Sequence, residues 1–426
     1  MEFVEGIKGI NANEHAYLKK NFGMLKVGTE IEMEFDENDD VDYGTLEEKF
    51  EMSSRYTNFG FNSDGVASIK EDGSLCNGAE IVTTGRLLTD VALFHAQYKK
   101  IFNKVSEELS QIVSPRTGLH QHFVLQTDGD NSNLEIELNP LFLKNFFILF
   151  KNNLAGIFWL TSAVYKESVE EFSYTRYDGF HKWKHLFDKN LNSIEHNKNS
   201  DGANVCHSID TSERYNALNV KSMKISGNKV SNFHVEFRLS DGAICPAQIA
   251  IQNFMFDAII KCALEMSLFG EIKDIYETNR EYKNKIKKYK NNPSHETYPR
   301  LADSRYSNST KADIDFFKSE AKNLVDMLAP FLDKRVYSAL NYLSSRNISE
   351  MLKDGLDVKE IEEELGNFIK PNKGEFNEKI LKNIAEKKID MVTLNRAVIS
   401  GSQLGFNIDE ITSIFEYIQN NGIKIV

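Results

Sequence analysis

A strictly alternating segment near the start of the chain predicts an amphipathic β-strand. Residues Leu25 to Phe35 read LKVGTEIEMEF, which puts apolar residues and Thr29 on one face and Glu30, Glu32 and Glu34 on the other. Side chains two positions apart on a strand lie roughly 6 to 7 Å from one another, so ionised carboxylates at this spacing repel. The acidic face therefore has to meet bulk water or bind a cation.

Three further segments alternate in the same way and predict strands with similar chemistry on the polar face. The predicted strands are 78–84, 118–125 and 232–239. Their polar faces carry Glu80, then His120 with His122, and finally His234, Glu236 and Arg238. The first of the three follows the Asp-Gly turn sequence KEDGS.

The residue types on these faces favour a cation and a phosphate as ligands. A solvated sheet face usually mixes Lys, Thr, Ser and Gln, whereas these faces carry Glu and His with one Arg. Carboxylate oxygens suit Mg²⁺ or Mn²⁺, and imidazole either binds Mn²⁺ or donates to a phosphate oxygen. The guanidinium of Arg238 matches phosphate geometry. A wet outer face with hydrogen-bonded histidines remains the alternative.

Helical periodicity accounts for much of the remaining chain. Apolar residues at helical spacing predict an amphipathic helix over 87–113, and further helices are expected over 139–166, 246–276, 358–369 and 408–419. The acidic, turn-rich segment 36–68 is interpreted as a long loop that forms a rim or lid. From about Lys311 onward no strand-like alternation is found.

The order of these motifs resembles a known family. GTEIEME, KEDGSL with GAEIVTT, TGLHQHF, RYNALN and HVEFRLSDG are similar to the amidoligase family of the glutamine synthetase and glutamate–cysteine ligase superfamily of carboxylate–amine ligases, from about Lys26 to about Gly242. The resemblance implies an α+β fold with a curved antiparallel, glutamine-synthetase-like catalytic sheet and packed helices. It also implies an ATP- and Mg²⁺-dependent (or Mn²⁺-dependent) ligase that joins a carboxylate to an amine through an acyl phosphate.

The resemblance assigns roles to individual positions. The implied metal ligands are Glu30, Glu32, Glu80 and Glu236. The implied contacts to ATP are His120, His122, Arg176, Asn216 and Asn219, and the implied catalytic residues are Arg238, as phosphate clamp, and Arg214. Glu34 receives no role. The segment RYNALN is equally well read as a cap and turn, and Asp72, Gly73 and Ser74 are interpreted as turn residues.

Composition limits the classes of function. Acidic residues number 63 against 51 basic ones, a formal net charge of −12, which argues against nucleic-acid binding. The phosphate-loop, dinucleotide-binding, zinc-protease and serine-hydrolase motifs are missing. The 4 widely spaced cysteines suit a reducing compartment, and polar residues interrupt the apolar stretch from Leu141 to Tyr165. We therefore expect a cytoplasmic protein without a membrane span or a secretion signal.

The landmarks predict three regions. Residues 1–265 are expected to form the catalytic domain, with 36–68 and 139–204 as insertions, lid and helices. Residues 266–310 form a helical connector with a basic run, and 311–426 form an all-helical region for self-association or partner docking. The expected substrates are a carboxylate and an amine, including a peptide or protein. The alternatives are a catalytically inactive structural or binding protein of the same fold and a metal-dependent hydrolase that uses no ATP.

Overall fold

The computed structural model describes residues 1–50, 65–72, 75, 77–88, 90–112, 117–125, 136–163, 218–220, 224–226, 229–282, 284 and 311–370. Helices and antiparallel sheets are mixed throughout these ranges, so the fold is α+β, as the sequence predicts. Among the described helices, none combines the length and apolar character that crossing a membrane requires.

The strands are numbered along the chain. They are β1 Leu25–Phe35, β2 Val66–Lys70, β3 Gly78–Thr83, β4 Arg86–Leu87, β5 Gln111–Ile112, β6 Gly118–Leu125, β7 Ile136–Glu137, β8 Leu218–Asn219, β9 Lys224–Ser226, β10 Lys229–Asn232 and β11 His234–Asp241. The helices are α1 Ala12–Phe22, α2 Tyr43–Lys49, α3 Val91–Ser106, α4 Pro140–Asn152, α5 Leu154–Leu160, α6 Pro246–Met266, α7 Ile275–Thr278, α8 Lys311–Leu328, α9 Lys334–Ser345, α10 Ile348–Lys353 and α11 Val358–Ile369, with a 3-10 turn at Ala329–Phe331.

Within the described residues the main sheet has 8 strands, all paired antiparallel, in the order β2-β3-β1-β6-β11-β8, with β4 and β5 also paired to β1. A separate sheet joins β7, β10 and β9. Because β1 lies between β3 and β6, the polar face of β1 has neighbouring side chains on both sides. Any polar site built on that face draws on several strands.

The opposite face of the sheet packs on helices. The ring of Phe237 on β11 stacks on Phe256 of α6, with centroids 4.1 Å apart, and the edge of Phe146 from α4 also meets it. Thr29 on β1 donates a hydrogen bond to the hydroxyl of Tyr98 on α3 at 3.2 Å. Burial of this apolar face is the main source of stability for the sheet.

Several predicted elements are confirmed. The strands β1, β3 and β6 and the helix α11 occupy the predicted segments, within one residue at each end. The apolar stretch from 141 to 165 forms two buried helices, α4 and α5, up to Leu160. The predicted helix 408–419 lies outside the described residues.

Other predicted boundaries are wrong, and for the first helix pairing in the main sheet explains the difference. The predicted helix 87–113 is shorter, because Leu87 pairs with Lys26 in the sheet and Ile112 pairs with Glu34. Asp90 then caps the first turn of α3 by accepting from the backbone N–H of Ala92 at 2.8 Å.

The predicted loop 36–68 contains regular structure. Asp42 caps the helix α2, and β2 begins at Val66 because β3 offers it hydrogen-bond partners. The last strand, predicted over 232–239, spans His234–Asp241, and the helix predicted over 246–276 ends at Met266 before the short α7.

The described helices from Lys311 to Ile369 pack on the rest of the chain. The indole N–H of Trp159 on α5 donates to the carbonyl of Leu343 at 2.9 Å, and the amide of Asn347 donates to the carbonyl of Trp159 at 3.1 Å. The ammonium of Lys318 lies 5.2 Å from the centroid of the Trp159 ring. Trp159 is therefore held from three directions by the helices that follow 311.

A second contact between the helices after residue 311 and the rest of the chain lies at the start of α6. Cys245 precedes α6 without a side-chain cap, and Glu362 of α11 accepts from the backbone N–H of Ala247 at 2.9 Å instead. The other oxygen of Glu362 lies 2.5 Å from Nε2 of His95 on α3. A carboxylate at a helix N-terminus is favoured by the unsatisfied N–H groups there.

Glu362→Ala is expected to lower the free energy of unfolding by about 1 to 3 kcal/mol, because it removes the cap of α6 and the partner of His95 together. Urea unfolding measures this change. Glu363→Ala, at an exposed position of the same helix, is the matched control and should change stability by less than about 0.5 kcal/mol. Equal effects of the two substitutions would contradict the capping role.

Candidate functional site

The polar faces of four strands meet on one side of the main sheet. In the observed register Glu32 lies opposite Glu80, and Glu30 lies opposite His120. Glu236 lies opposite His122. Strand alternation places these side chains on the face away from the helices, and the antiparallel register brings them next to one another.

One group consists of Glu30, His120 and Glu236, named here the Glu30 cluster. Each residue offers one ligand atom, and these atoms lie within 4.8 Å of one another. The Nδ1 atom of His120 is 2.7 Å from Oε2 of Glu30 and 3.6 Å from Oε1 of Glu236. This group offers two carboxylates and one imidazole to a ligand.

The second group consists of Glu32, Asp72 and Glu80, named here the Glu32 cluster. Its ligand atoms also lie within 4.8 Å of one another, and all of them are carboxylate oxygens. The backbone N–H of Gly118 donates to Oε2 of Glu32 at 2.7 Å and fixes the orientation of that carboxylate. The donor set is purely oxygen.

His120 lies between the two clusters. Its Nδ1 atom faces Glu30 and Glu236, whereas its Nε2 atom is 3.8 Å from Oε1 of Glu32. The side chain of His120 is 2% exposed and that of Glu32 is 1% exposed. Burial at this level argues against a wet outer face, because an ionised carboxylate removed from water needs compensating positive charge or hydrogen bonds.

The protein supplies part of this compensation itself. The ammonium of Lys70 lies 2.7 Å from Oε1 of Glu80, and the guanidinium of Arg238 forms an ion pair with Glu236. Burial raises the pKa of Glu80, and the hydrogen bond from Lys70 offsets that rise only in part. The pKa of Lys70 is raised, chiefly by its hydrogen bond to Glu80.

Glu30 is held in its ionised form by two imidazoles. Burial acts to raise the pKa of this carboxyl, but the hydrogen bonds from His120 and His122 outweigh burial and hold the pKa well below its usual range. The contact from His122 joins Nε2 to Oε1 of Glu30 at 3.2 Å. Glu30 is therefore available as an anionic ligand at neutral pH.

His122 and His234 form a direct imidazole pair, with Nδ1 of His122 2.9 Å from Nε2 of His234. With the ring proton of His122 on Nε2, which faces Glu30, its Nδ1 accepts from Nε2 of His234. His234 thus fixes the orientation of His122. Burial first, and then the neighbouring His122, lower the pKa of His234 to about 4, so His234 is neutral at pH 7.

The donor atoms of both clusters fit divalent cations. Oxygen ligands bind Mg²⁺ at about 2.1 Å, so two ligands on opposite sides of the ion are about 4.2 Å apart. The spacing of the ligand atoms, within 4.8 Å, needs only a small inward adjustment of the side chains. The Glu32 cluster matches Mg²⁺, and the imidazole of the Glu30 cluster is also compatible with Mn²⁺.

The structure gathers the predicted residues that it describes with side chains. These are Glu30, Glu32, Glu80, His120, His122, Glu236 and Arg238. Arg176, Arg214 and Asn216 lie outside the described residues. The backbone of Asn219 pairs with Glu236 on β11, which places that position at the edge of the same sheet. The metal, ATP and catalytic roles of these residues remain predictions.

Asp72 and His234 belong to the site, although the sequence pattern predicts a ligand or positioning role for neither. The pattern assigns Asp72 to a turn, but pairing of β2 with β3 carries its carboxylate to Glu32 and Glu80. A signal was present, because Asp72 follows Lys70 at the strand spacing of two. His234 shares its face with Glu236 for the same reason.

Comparisons with known proteins identify no family. No family model matches the chain, and no curated protein matches it. Solved structures match with low similarity. The complex of the prokaryotic ubiquitin-like protein Pup with its ligase PafA shows 10% identity and a TM-score of 0.36, covering 83% of this chain and 74% of that chain.

Two other solved structures are similar at the same level. The GmaS/ADP complex shows 14% identity and a TM-score of 0.36, covering 83% of this chain and 77% of that chain. A bifunctional glutathione synthetase from Pasteurella multocida shows 12% identity and a TM-score of 0.38, covering 95% of this chain and 59% of that chain. At TM-scores below 0.5 these likenesses carry no argument about function.

Mg²⁺ or Mn²⁺ is expected to raise the melting temperature by about 2 to 5 °C at about 100 times its Kd, because the folded protein alone assembles both clusters. Glu32→Gln and Glu80→Gln should each reduce this shift. Glu107→Gln, which alters an exposed carboxylate paired with Lys49, should keep it. Differential scanning calorimetry measures the shifts, and equal shifts in all three variants would exclude cation binding at the Glu32 cluster.

Protonation of His234 is expected to destabilise the fold. Folding lowers its pKa from 6.5 to about 4, so the stability that depends on the neutral ring is complete above pH 6.5 and is lost as the pH falls toward 4. Between about pH 7 and pH 5 the free energy of unfolding in urea should fall by at most about 2 kcal/mol. His234→Gln, which keeps an N–H donor for His122, should show a smaller fall. An unchanged pH dependence in that variant would contradict this assignment.

Proposed function

We propose that the protein is an ATP- and Mg²⁺-dependent ligase that joins a carboxylate to an amine. The observation that carries the proposal is the pair of cation-compatible clusters on one face of the sheet, with Arg238 beside the Glu30 cluster. Two adjacent groups of ligands can hold the oxygens of a transferring phosphoryl group from both sides. The resemblance of the ordered motifs supports the same reaction.

The reaction explains why such residues occur together. A carboxylate is a poor electrophile at neutral pH, so its oxygen first attacks the γ-phosphorus of ATP, and ADP leaves as an acyl phosphate forms. The amine nitrogen then attacks the acyl carbon, the C–O bond to phosphate breaks, and the nitrogen loses a proton as the amide forms. Bound divalent cations would neutralise the charge that accumulates on the phosphoryl oxygens in both steps.

The side chains of the site would bind either a cation or the phosphoryl group. Glu30, His120 and Glu236 would hold one cation, and the three carboxylates of the Glu32 cluster would hold the other. When Glu236 serves as a ligand, the guanidinium of Arg238 becomes available to the phosphoryl oxygens as a bidentate donor. When Glu30 serves as a ligand, Nε2 of His122 would become available to donate to phosphate, with His234 keeping the ring in orientation.

Four further residues, three of which lie outside the described ranges, complete the proposed site. We assign Arg214 a catalytic role, and we assign Arg176, Asn216 and Asn219 contacts to ATP, on the basis of the resemblance. A carboxylate and an amine are the proposed substrates, and a peptide or protein is included among them. We further propose a cytoplasmic location and a role of the C-terminal helices in self-association or partner binding.

A catalytically inactive structural or binding protein of the same fold is the second candidate. The observation that favours it is that Lys70 and Arg238 form ion pairs with Glu80 and Glu236, so the protein itself neutralises both carboxylates. Such a protein would bind neither Mg²⁺ nor ATP. Measurement of ATP binding with and without Mg²⁺ by calorimetry therefore separates the two candidates.

Glu32→Gln is expected to lower ADP formation by about 100-fold or more, because it removes a charged ligand of the Glu32 cluster. The fold should persist, since the glutamine oxygen can still accept from Gly118 and one repelling charge is removed. Wild-type protein with ATP, Mg²⁺ and cell extract should form a product lighter by one water than its two components, detected by mass spectrometry.

Glu363→Gln, at an exposed position far along the chain from the site residues, is the activity control and should behave as wild type. The melting curve of each variant verifies folding. Full ADP formation by Glu32→Gln would refute the assignment of Glu32. If the protein hydrolyses ATP but forms no condensed product with any of the amines and carboxylates tested, the ligase proposal is refuted.

A further inference from the structure

In each cation-compatible cluster, one carboxylate forms an ion pair with a cationic side chain of the protein. Arg238 pairs with Glu236 of the Glu30 cluster, and Lys70 pairs with Glu80 of the Glu32 cluster. The contact of Lys70 is built into the sheet, because Lys70 and Glu80 lie directly opposite each other on β2 and β3, and Glu80 in turn lies opposite Glu32. Lys70, Glu80 and Glu32 thus form one row across three strands.

The two cationic side chains differ in how easily they can leave. The side chain of Arg238 is 13% exposed, whereas that of Lys70 is 56% exposed. Among the described strands, β2 is an edge of the main sheet. An ammonium on a flexible side chain at a sheet edge can rotate out into bulk solvent with little loss of free energy. A mostly buried guanidinium cannot.

A divalent cation in the Glu32 cluster would need the same carboxylate that Lys70 holds. The ammonium lies 2.7 Å from Oε1 of Glu80, and Glu80 is one of the three ligands of that cluster. A doubly charged ion and an ammonium within a few ångströms of each other repel. The two cations therefore compete for Glu80.

We propose that Lys70 is a tethered competitor of the divalent cation, which leaves Glu80 when the Glu32 cluster is loaded and so sets the cation concentration at which the site fills. This inference rests on the proposed function. Lys70 stabilises the row of carboxylates while no cation is bound. When the divalent cation binds, it replaces the ammonium of Lys70 as the positive partner of Glu80. The Glu32 cluster then binds its cation more weakly than its three carboxylates alone would.

The first test is an Mn²⁺ titration of the full-length protein by electron paramagnetic resonance. Lys70→Met should bind the cation at one site about tenfold more tightly, since it loses a charged hydrogen bond that the cation must otherwise break. Lys70→Arg, which keeps the charge, should stay near wild type. Lys273→Met removes an exposed lysine paired with Glu2 and should also bind as wild type.

A double-mutant cycle localises the effect at the carboxylate that the two cations share. In a Glu80→Gln background the further change Lys70→Met should give no gain in Mn²⁺ affinity, because the shared anion is gone. A second readout follows the lysine directly. Acetic anhydride should label Lys70 several-fold faster with Mn²⁺ than without it, because the released amine loses its carboxylate partner, and Lys273 should be labelled at a constant rate.

The outcomes separate this inference from the proposed function. If wild-type protein binds Mn²⁺ and Lys70→Met binds it no more tightly, or if labelling of Lys70 does not rise, the competition is refuted while the ligase proposal stands. If neither wild-type protein nor Lys70→Met binds Mn²⁺, both are refuted. Tighter binding by Lys70→Met, absent in the Glu80→Gln background, supports the competition.

Discussion

The main physical constraint on this structure is that several carboxylates lie close together on a face of the sheet that is largely removed from water. Glu30 and Glu32 on β1 are next to Glu80 on β3, and Glu32 is almost inaccessible to solvent. Glu236 lies on β11, separated from β1 by β6. Ionised groups in such a place repel one another and lose hydration. The protein offsets this cost locally, with imidazoles beside Glu30, a backbone N–H on Glu32 and cationic side chains on Glu80 and Glu236.

The rest of the fold stabilises this arrangement. The apolar side of the same strands packs on α3, α4 and α6, and the stacking of Phe237 on Phe256 shows how close that packing is. The helices after residue 311 add to it, because Glu362 caps α6 and Arg335 pairs with the carboxylate of Asp90 that caps α3. The helices after residue 311 thus stabilise α3 and α6, which pack on the opposite side of the sheet from the polar face.

The two clusters are neighbours of different chemistry. One offers an imidazole with two carboxylates and the other offers carboxylates alone, and His120 has a nitrogen directed at each. That asymmetry suits two cations with different surroundings around one phosphoryl group, and it underlies the ligase proposal. The ion pairs of Lys70 and Arg238 give the same face a stable form when no cation is present.

The sequence alone determined which strands carry the site and which way their side chains face, because alternation with a period of two is a local property. Glu30, Glu32, His120 and Glu236 could be predicted for that reason. Tertiary structure decided the rest. The role of Asp72, the pairing of Lys70 with Glu80 and the ends of α3 depend on strand register and on partners far along the chain, and local patterns carry little information about either.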